Sequence, residues 1–301
     1  MSGARGVEHV TWRTDELEVT VLPGLGCRLH RLRAFGVDLL RTPEDARRHA
    51  EEPFFWGAYV MAPWTNRADP GPMTIAGRRV DLEPNFPDGT AIHGLVATAA
   101  WERTAEASFR IAPASDGWPW AHEVQADIEL AGPRLRLAYR LTNRADGPMP
   151  GGIGLHPWFR GPVGIALSAG SVHPDNGARD PGPVPPSGRF ALDGGPLPDG
   201  LDATWLDVRP PGVDLRWPTL GIRARLAADA GGAPVHVAVA SPTDVAAVAI
   251  EPVTNRPWAL RRLAHGEPGG MRLLAPGEAL ELAISLEFAR DDGPRTDLAA
   301  E

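Results

Sequence analysis

The feature of this sequence that most limits its fold is an alternation of apolar and polar residues with a period of two. Every second residue of ALELAISLEF (279–288) is large and apolar, and EVQADIEL (123–130) and LRLAYRLTN (135–143) alternate in the same way. A period of two places successive side chains on opposite faces of a strand, so each segment offers one face to a core. Gly132 and Pro133 separate the last two segments, which is typical of a hairpin turn.

Shorter alternating runs fill the rest of the chain, separated by Gly, Pro, Asn or Asp. They are LEVTVL, GCRLHRLRA, RRVDLEP, GIRARLAA, VHVAVAS and DVAAVAIEP. Turn signals about every 8–12 residues are typical of a large sandwich or barrel. A helical pattern is limited to residues 43–53, as an exposed turn or two, and residues 174–200 are rich in Pro and Gly and predict a long loop. The sequence predicts an all-β, antiparallel protein with one domain over residues 1–301.

Composition limits the class of protein further. The formal net charge of −8 and the pI near 5.6 argue against a nucleic-acid partner or an anionic membrane surface. No run of about 18 apolar residues is present, and the N-terminal segment lacks the apolar stretch of a secretory signal. The single cysteine, Cys27, has no partner for an internal disulfide and is expected to be a small core residue. We expect a cytoplasmic protein, either monomer or homodimer.

The absence of lysine narrows the chemistry, because all 30 basic residues are arginine. Schiff-base catalysis, the P-loop lysine and a lysine general base are therefore excluded. The sequence also lacks a G-x-S-x-G elbow, a C-x-x-C pair, an H-E-x-x-H helix and a G-x-G-x-x-G turn. An enzyme of this composition must work with His, Asp, Glu and Arg.

One strand with an unusually bare face lies in GGIGLHPWFR (151–160). Gly152 and Gly154 share a face with His156. Glycine weakens a strand interior, so it marks a bulge or a place where another group approaches the backbone. Pro157 lacks an N–H group and is expected to end the strand.

The segment DVAAVAIEPV (244–253) repeats this design. Ala247 and Ala249 share a face with Glu251, and Pro252 follows. A single strand histidine is more often a hydrogen-bonded structural residue, and a strand-end glutamate is usually solvated. Two such groups in one all-β chain, each at the end of a small-residue face, favour a shallow polar cleft.

The order of these and two further motifs resembles the aldose 1-epimerase (galactose mutarotase) family. The shared pattern is N-R, a Gly-led apolar strand, apolar-H-G, a distant H-P-aromatic-F and I-E-P-apolar-T, and it covers roughly residues 8–290. Here it reads Asn66-Arg67, Gly77 to Leu82, Ile92-His93-Gly94, His156-Pro157-Trp158-Phe159 and Ile250-Glu251-Pro252-Val253-Thr254. The resemblance implies a β-supersandwich, which is a large antiparallel β-sandwich, with a groove for a sugar and with neither a metal nor a cofactor.

The resemblance also implies catalytic roles. Exchange of α and β anomers needs one base for the C1 hydroxyl proton and one acid for the ring oxygen. Glu251 matches the base and His156 the acid, while His93 matches a residue that hydrogen-bonds the sugar near its ring oxygen. The small residues of the two bare faces are then expected to leave room for a flat pyranose.

Substrate binding is implied for a second group of residues. Asn66 and Arg67 match the pair that holds ring hydroxyls, and Asp202 matches an aspartate that accepts hydroxyl hydrogen bonds. Trp158 and Trp64 are candidates to stack on a sugar face, although the core is the usual place for a strand tryptophan. The histidines that match no motif are read as surface or structural residues: His9, His30, His49, His173, His236 and His265.

Several alternatives stay open from the sequence alone. A carbohydrate-binding module or a regulatory protein needs no acid–base pair. A metal-dependent hydrolase would use two histidines and a glutamate as ligands, but His93, His156 and Glu251 lack the short spacing of common metal motifs. A hexose-6-phosphate 1-epimerase would need an arginine cluster at the groove edge. The chain also departs from the family at Leu95, where Gly-Gly is usual, and lacks the usual polar residue before the I-E-P strand.

Overall fold

The computed structural model describes residues 7–267 and 269–291, and strands dominate them. The strands are β1 (Val10–Arg13), β2 (Leu17–Leu22), β3 (Arg28–Ala34), β4 (Val37–Asp38), β5 (Ala58–Met61), β6 (Arg67–Ala68), β7 (Gly71–Ile75), β8 (Arg78–Leu82), β9 (Ala91–Ile92), β10 (Glu102–Ala105), β11 (Ser108–Ile111), β12 (His122–Ala131), β13 (Arg134–Asn143), β14 (Met149–Gly151), β15 (Gly154–Arg160), β16 (Gly164–Ala166), β17 (Ser171–His173), β18 (Asp193–Pro196), β19 (Asp202–Leu206), β20 (Gly212–Trp217), β21 (Ile222–Asp229), β22 (His236–Ala240), β23 (Ala247–Val253), β24 (Arg272–Leu274) and β25 (Ala279–Arg290).

Two large antiparallel sheets contain most of these strands. The first has the order β1-β2-β3-β5-β15-β23-β22-β19-β17, with β4 beside β3, and the second has the order β10-β11-β12-β13-β25-β21-β20-β16-β18. The pairs β6–β9, β7–β8 and β14–β24 form small two-stranded sheets. The strands β15 and β23, which carry the two bare faces, are neighbours in the middle of the first sheet.

The core lies between the two sheets and explains the alternation in the sequence. Val60 and Ile250 of the first sheet belong to the same buried cluster as Leu137 and Ile284 of the second. Burial of this apolar surface is the main stabilising term of such a fold. The predicted antiparallel β-sandwich is confirmed.

Helices are few, and one was not predicted. The helical pattern at 43–53 contains α1, a single turn at Arg48–Glu51. The second helix, α2 (Ala259–Ala264), lies between Pro257 and Gly266, residues that commonly mark a helix start and end. None of the described helices has the length and apolarity to cross a membrane. The predicted long loop at 174–200 contains a short edge strand, β18. Cys27 is buried in the core with a free thiol, as predicted.

Candidate active site

The histidine and the glutamate of the bare-faced strands lie opposite each other. β15 and β23 are adjacent, and the residue pairs on both sides of the site share one register, which places His156 directly across from Glu251. The pairs that fix this register are Gly154–Val253 and Trp158–Ala249. His156 Nε2 lies 3.3 Å from Glu251 Oε1, and both residues are 5% exposed. Two ionisable groups far apart in sequence are thus held in contact by strand pairing.

Two prolines open the ladder beside this contact. Trp158 donates its N–H to the β5 side, and Thr254 donates its N–H to the β15 side. Because N–H groups alternate in direction along a strand, the nitrogens of Pro157 and Pro252 face the gap between β15 and β23. The prediction that Pro157 ends its strand is wrong. A proline lacks a donor on one side only: β15 is still paired with β5 at Pro157, and from Trp158 to Arg160 it is paired with β23.

The space beside Gly152 and Gly154 is occupied by side chains of neighbouring segments. A Cβ atom on Gly152 would lie 2.1 Å from Asn255 Oδ1, and one on Gly154 would lie 2.7 Å from Val253 Cγ1. The alanine face of β23 is buried in an apolar cluster. The expectation that these faces leave room for a sugar is therefore wrong. The glycines admit side chains of neighbouring segments, and the cleft lies over His156, Trp158 and Glu251 of the same two strands.

Aromatic rings fix the orientation of His156. Its imidazole stacks on Tyr59 of β5 with ring centroids 4.6 Å apart and an angle of 24° between the planes. The ring of His93 approaches it edge-on at 5.0 Å. Tyr59 is fully buried, so a rigid platform holds the imidazole against Glu251. The sequence patterns did not single out Tyr59.

The hydrogen bonding of His93 indicates where its proton lies. The backbone N–H of Asn66 donates to His93 Nδ1 over 3.3 Å, so the proton of the neutral ring is on Nε2. Both residues are in the left-handed region, with φ values of 59° for Asn66 and 62° for His93. Such backbone strain is common at functional sites. His93 is therefore prepared to donate a hydrogen bond into the cleft.

Burial changes the proton affinity of the facing groups. Burial, helped by the negative charge of Asp202, raises the pKa of Glu251 to about 8, although Arg67 opposes this. Burial lowers the pKa of His156 to about 3, with a smaller effect of the same sign from Arg28. At neutral pH the His156–Glu251 pair therefore carries one exchangeable proton, shared by a carboxyl group and a neutral imidazole.

Arg67 is held at the rim of the cleft by two carboxylates. Its Nε donates to Asp88 over 2.7 Å, and its Nη1 lies 3.4 Å from Asp202 Oδ2. Asn66 turns its Oδ1 back to accept the N–H of Arg67 at 2.8 Å. The residues predicted to bind substrate through hydrogen bonds, Asn66, Arg67 and Asp202, all line the same cleft as His93, His156 and Glu251.

Aromatic side chains form another part of the wall of this cleft, whose volume is about 280 Å³. Trp158 lines it, and its indole N–H donates to the Phe54 carbonyl over 2.7 Å. Three phenylalanines that sequence reasoning missed complete the wall: Phe54, Phe55 and Phe86. The adjacent aromatics in EEPFFWGAYV were the available signal. Trp64 lies outside the cleft and packs on Trp118 with ring centroids 5.3 Å apart.

Comparison with known proteins agrees with this geometry. The aldose 1-epimerase family model matches residues 8–169, more than half of the chain. The chain belongs to the aldose 1-epimerase family. No match is found among curated proteins. The resemblance seen in the motifs is thus confirmed at the level of the family.

Solved structures share the fold of this aldose 1-epimerase family member at low sequence identity. A galactose mutarotase-like protein from Clostridium acetobutylicum has a TM-score of 0.78 at 16% identity, covering 93% of this chain and 94% of that one. An aldose epimerase homologue from C. elegans has a TM-score of 0.76 at 15% identity, covering 95% and 99%. A galactose 1-epimerase from Lactobacillus acidophilus NCFM has a TM-score of 0.72 at 16% identity, covering 93% of each chain.

The departures from the family pattern lie at the edge of the cleft. Gly94 has a φ of 75°, and a Cβ there would lie 2.0 Å from the Ala62 carbonyl oxygen, so this glycine is required by the turn. Leu95 follows and donates its N–H to the same oxygen at 2.7 Å. Where the family's polar residue precedes the I-E-P strand, Ala240 and Pro242 line the cleft. This part of the wall is therefore apolar.

The distance criterion for a metal site is met, whereas the hydrogen bonding does not fit one. Ligand atoms of His93, His156 and Glu251 lie within 4.8 Å of one another, although their sequence spacing suggested no metal site. A metal-ligating histidine normally donates its other N–H to an acceptor. His93 Nδ1 instead accepts the Asn66 N–H, so its Nε2 carries a proton toward the cleft. This donor set suits a sugar oxygen better than a cation.

Glu251→Gln is expected to stabilise the protein in a pH-dependent way. The folded pKa of Glu251 lies above its unfolded value, so the native state loses stability as pH rises from about 4.5 through about 8. The amide removes this cost. At pH 5 we expect little change in stability. At pH 8.5 we expect the free energy of unfolding to rise by about 1–3 kcal/mol, which raises Tm by roughly 2–8 °C.

Thermal melts of wild type and variant at both pH values measure this effect. The control is Glu129→Gln on β12, where the carboxylate is exposed. Its Tm difference from wild type should be the same at both pH values. A Tm far below wild type for Glu251→Gln would assign Glu251 a structural role and contradict the assignment of this carboxyl to chemistry.

Proposed function

We propose that this protein is an aldose 1-epimerase that interconverts the α and β anomers of an unphosphorylated aldose. The observation that carries the proposal is the His156–Glu251 pair, two buried ionisable groups with His156 Nε2 3.3 Å from Glu251 Oε1. Its surroundings support the proposal, because the cleft has a volume of about 280 Å³ and is lined by hydrogen-bonding groups and aromatic rings. We further propose that one domain carries this activity.

The proposed reaction uses the pair as base and acid. Movement of the shared proton from Glu251 to His156 Nε2 gives a carboxylate and an imidazolium. Glu251 takes the proton of the C1 hydroxyl while His156 protonates the ring oxygen, and the C1–O5 bond breaks. Rotation about the C1–C2 bond presents the other carbonyl face, and the steps reverse. Proton number on the pair is conserved over the cycle.

The other cleft residues hold the sugar in this proposal. His93 Nε2–H donates to the sugar near its ring oxygen. Asn66 and Arg67 donate to ring hydroxyls, and Asp202 accepts from one of them. Trp158 offers its ring edge to the apolar face of the pyranose. Held in this way, the sugar is oriented with C1 and O5 toward the acid–base pair.

The charges of the cleft favour a neutral sugar over a hexose 6-phosphate. Among the described residues that line it, Arg67 is the one arginine, and its guanidinium already pairs with Asp88 and Asp202. A phosphate dianion would meet the carboxylate of Asp202 and find no unpaired cation. The arginine cluster that a phosphosugar epimerase needs is not formed by the described lining residues.

A purely binding role is a weaker explanation of the buried carboxyl. A non-catalytic sugar-binding protein gains nothing from Glu251, whose burial raises its pKa to about 8 and costs stability. Binding alone is served by Arg67, Asp202 and the aromatic wall. An acid–base pair that is not needed to bind the sugar indicates an enzyme.

Anomer exchange of freshly dissolved sugars tests the proposed function. The panel contains D-glucose, D-galactose, D-xylose and glucose 6-phosphate, followed by polarimetry or NMR. We expect faster exchange than in buffer for at least one neutral aldose, no comparable effect on the phosphate ester, and no loss in EDTA. Exchange at the buffer rate for every sugar, or an activity lost in EDTA and restored by zinc, would contradict the proposal.

The pH dependence of kcat/KM tests the one-proton state of the pair. The raised pKa of Glu251 means that the free enzyme keeps the shared proton up to about pH 8. Above that pH the pair loses this proton and with it the acid. We therefore expect kcat/KM to be level from pH 6 to 7.5 and to fall about tenfold per pH unit above about pH 8. A kcat/KM that rises between pH 7 and 9 would contradict the one-proton state, because the active form would then be the one that has lost this proton.

A further inference from the structure

Arg28 of β3 is a buried cation whose described partners are all neutral. Its side chain is 1% exposed. The guanidinium donates to the carbonyl oxygens of Leu25 at 2.8 Å, Pro53 at 2.8 Å and Ala97 at 2.6 Å, and lies 3.3 Å from His49 Nδ1. Among the residues that the structure describes, no carboxylate forms an ion pair with it. A buried charge without a counterion is costly and therefore calls for a functional reason.

The position of Arg28 relates it to the proposed acid. Its Cζ lies 5.3 Å from the centre of the Tyr59 ring, and that ring stacks on His156 at 4.6 Å. The guanidinium is therefore no more than about 10 Å from the imidazole, and both groups contact the buried ring of Tyr59. Two unit charges at this distance, at an effective dielectric constant of about 20, shift a pKa by about one unit.

The histidines next to Arg28 leave its charge uncompensated. An arginine N–H can only donate, so His49 Nδ1 accepts and the ring proton lies on Nε2. That proton is donated to His30 Nδ1 over 2.9 Å. Burial lowers the pKa of His49 to about 2 and that of His30 to about 4, so both rings are neutral at physiological pH. They hold the cation in place without adding a countercharge.

The remaining titratable or charged groups that face His156 are already paired or neutral. They are Glu251 from β23, Tyr59 from β5, His93 after β9, and across the cleft Arg67 and Asp202. Arg67 is paired with both Asp202 and Asp88, so the group on that side of the cleft carries no excess positive charge. Arg28 is thus the uncompensated charge on this side of the imidazole.

We propose that Arg28 is a positioning residue for the acid, and that its charge drives the proton from His156 Nε2 to the ring oxygen. The inference rests on the proposed function. In the ring-opening step the N–H bond of His156 breaks and an O5–H bond forms as C1–O5 breaks. The C1 hydroxyl proton passes to Glu251. Positive charge leaves the imidazole and the carboxylate becomes neutral, so repulsion from Arg28 is relieved during the step.

The test neutralises Arg28 without removing any of its hydrogen-bond donors. His49→Glu places a carboxylate beside the guanidinium, and His49→Gln is the matched control with a neutral acceptor. For His49→Glu we expect the alkaline limb of kcat/KM to move up by about one pH unit, because the pair holds its proton more tightly once the nearby positive charge is neutralised. His49→Gln should keep the wild-type limb, and both variants lose the same hydrogen bond to His30.

The outcomes separate this inference from the proposed function. A wild-type protein that exchanges no aldose contradicts the proposed function. An active wild type with identical limbs for the two His49 variants contradicts the role of Arg28 alone and leaves it a structural residue. Where His49→Glu does not fold, Arg28→Gln against Arg28→Lys carries the comparison. Only the neutral Gln variant should then move the limb, and equal limbs would overturn the inference.

Discussion

The contact between His156 and Glu251 is the interaction around which the rest of this structure is arranged. Neither residue is placed by its own loop or helix, because both stand in central strands and meet through the register of β15 and β23. The two prolines that follow them remove N–H groups from the ladder at that point. Tyr59 then fixes the imidazole from the neighbouring strand. The rigid sheet thus holds the two groups in contact, and side-chain rotation cannot easily break that contact.

Burial gives this contact its chemical character. In water, a carboxyl group would be ionised and an imidazole half protonated near pH 6.5. In the sheet, desolvation disfavours the charged forms of both, so the pair keeps one proton across the neutral range. Arg28 is the exception to this effect of burial. Carbonyl oxygens accept its hydrogen bonds, so it keeps its charge at a buried position where the charged forms of other groups are disfavoured. The His156–Glu251 pair is therefore neutral as a whole, and Arg28 holds a fixed positive charge close to it.

Local sequence predicted the strands well because their side chains alternate regardless of which strand pairs with which. The run LEVTVL coincides with β2, and LRLAYRLTN with β13 to within one residue. The candidate residues of the site were also available from motifs, in which His93 follows β9 and His156 and Glu251 lie within β15 and β23. Local sequence could not predict which distant side chains fill the space beside a given strand. The space beside Gly152 is filled by Asn255 and that beside Gly154 by Val253 and Met61. Arg28 and Tyr59 come close to His156 only through the order of strands in the sheet.

The measurement that bears most directly on the acid–base pair is a double-mutant cycle in kcat. Glu251→Gln and His156→Asn each remove one member of a unit that transfers protons together. Each single variant should therefore lose roughly 10²–10⁴-fold in kcat, and the double variant should be little slower than either one. Thermal melts confirm that all three are folded. Losses that multiply in the double variant, or a Glu251→Gln enzyme with kcat near wild type, would contradict the account of His156 and Glu251 as one catalytic unit.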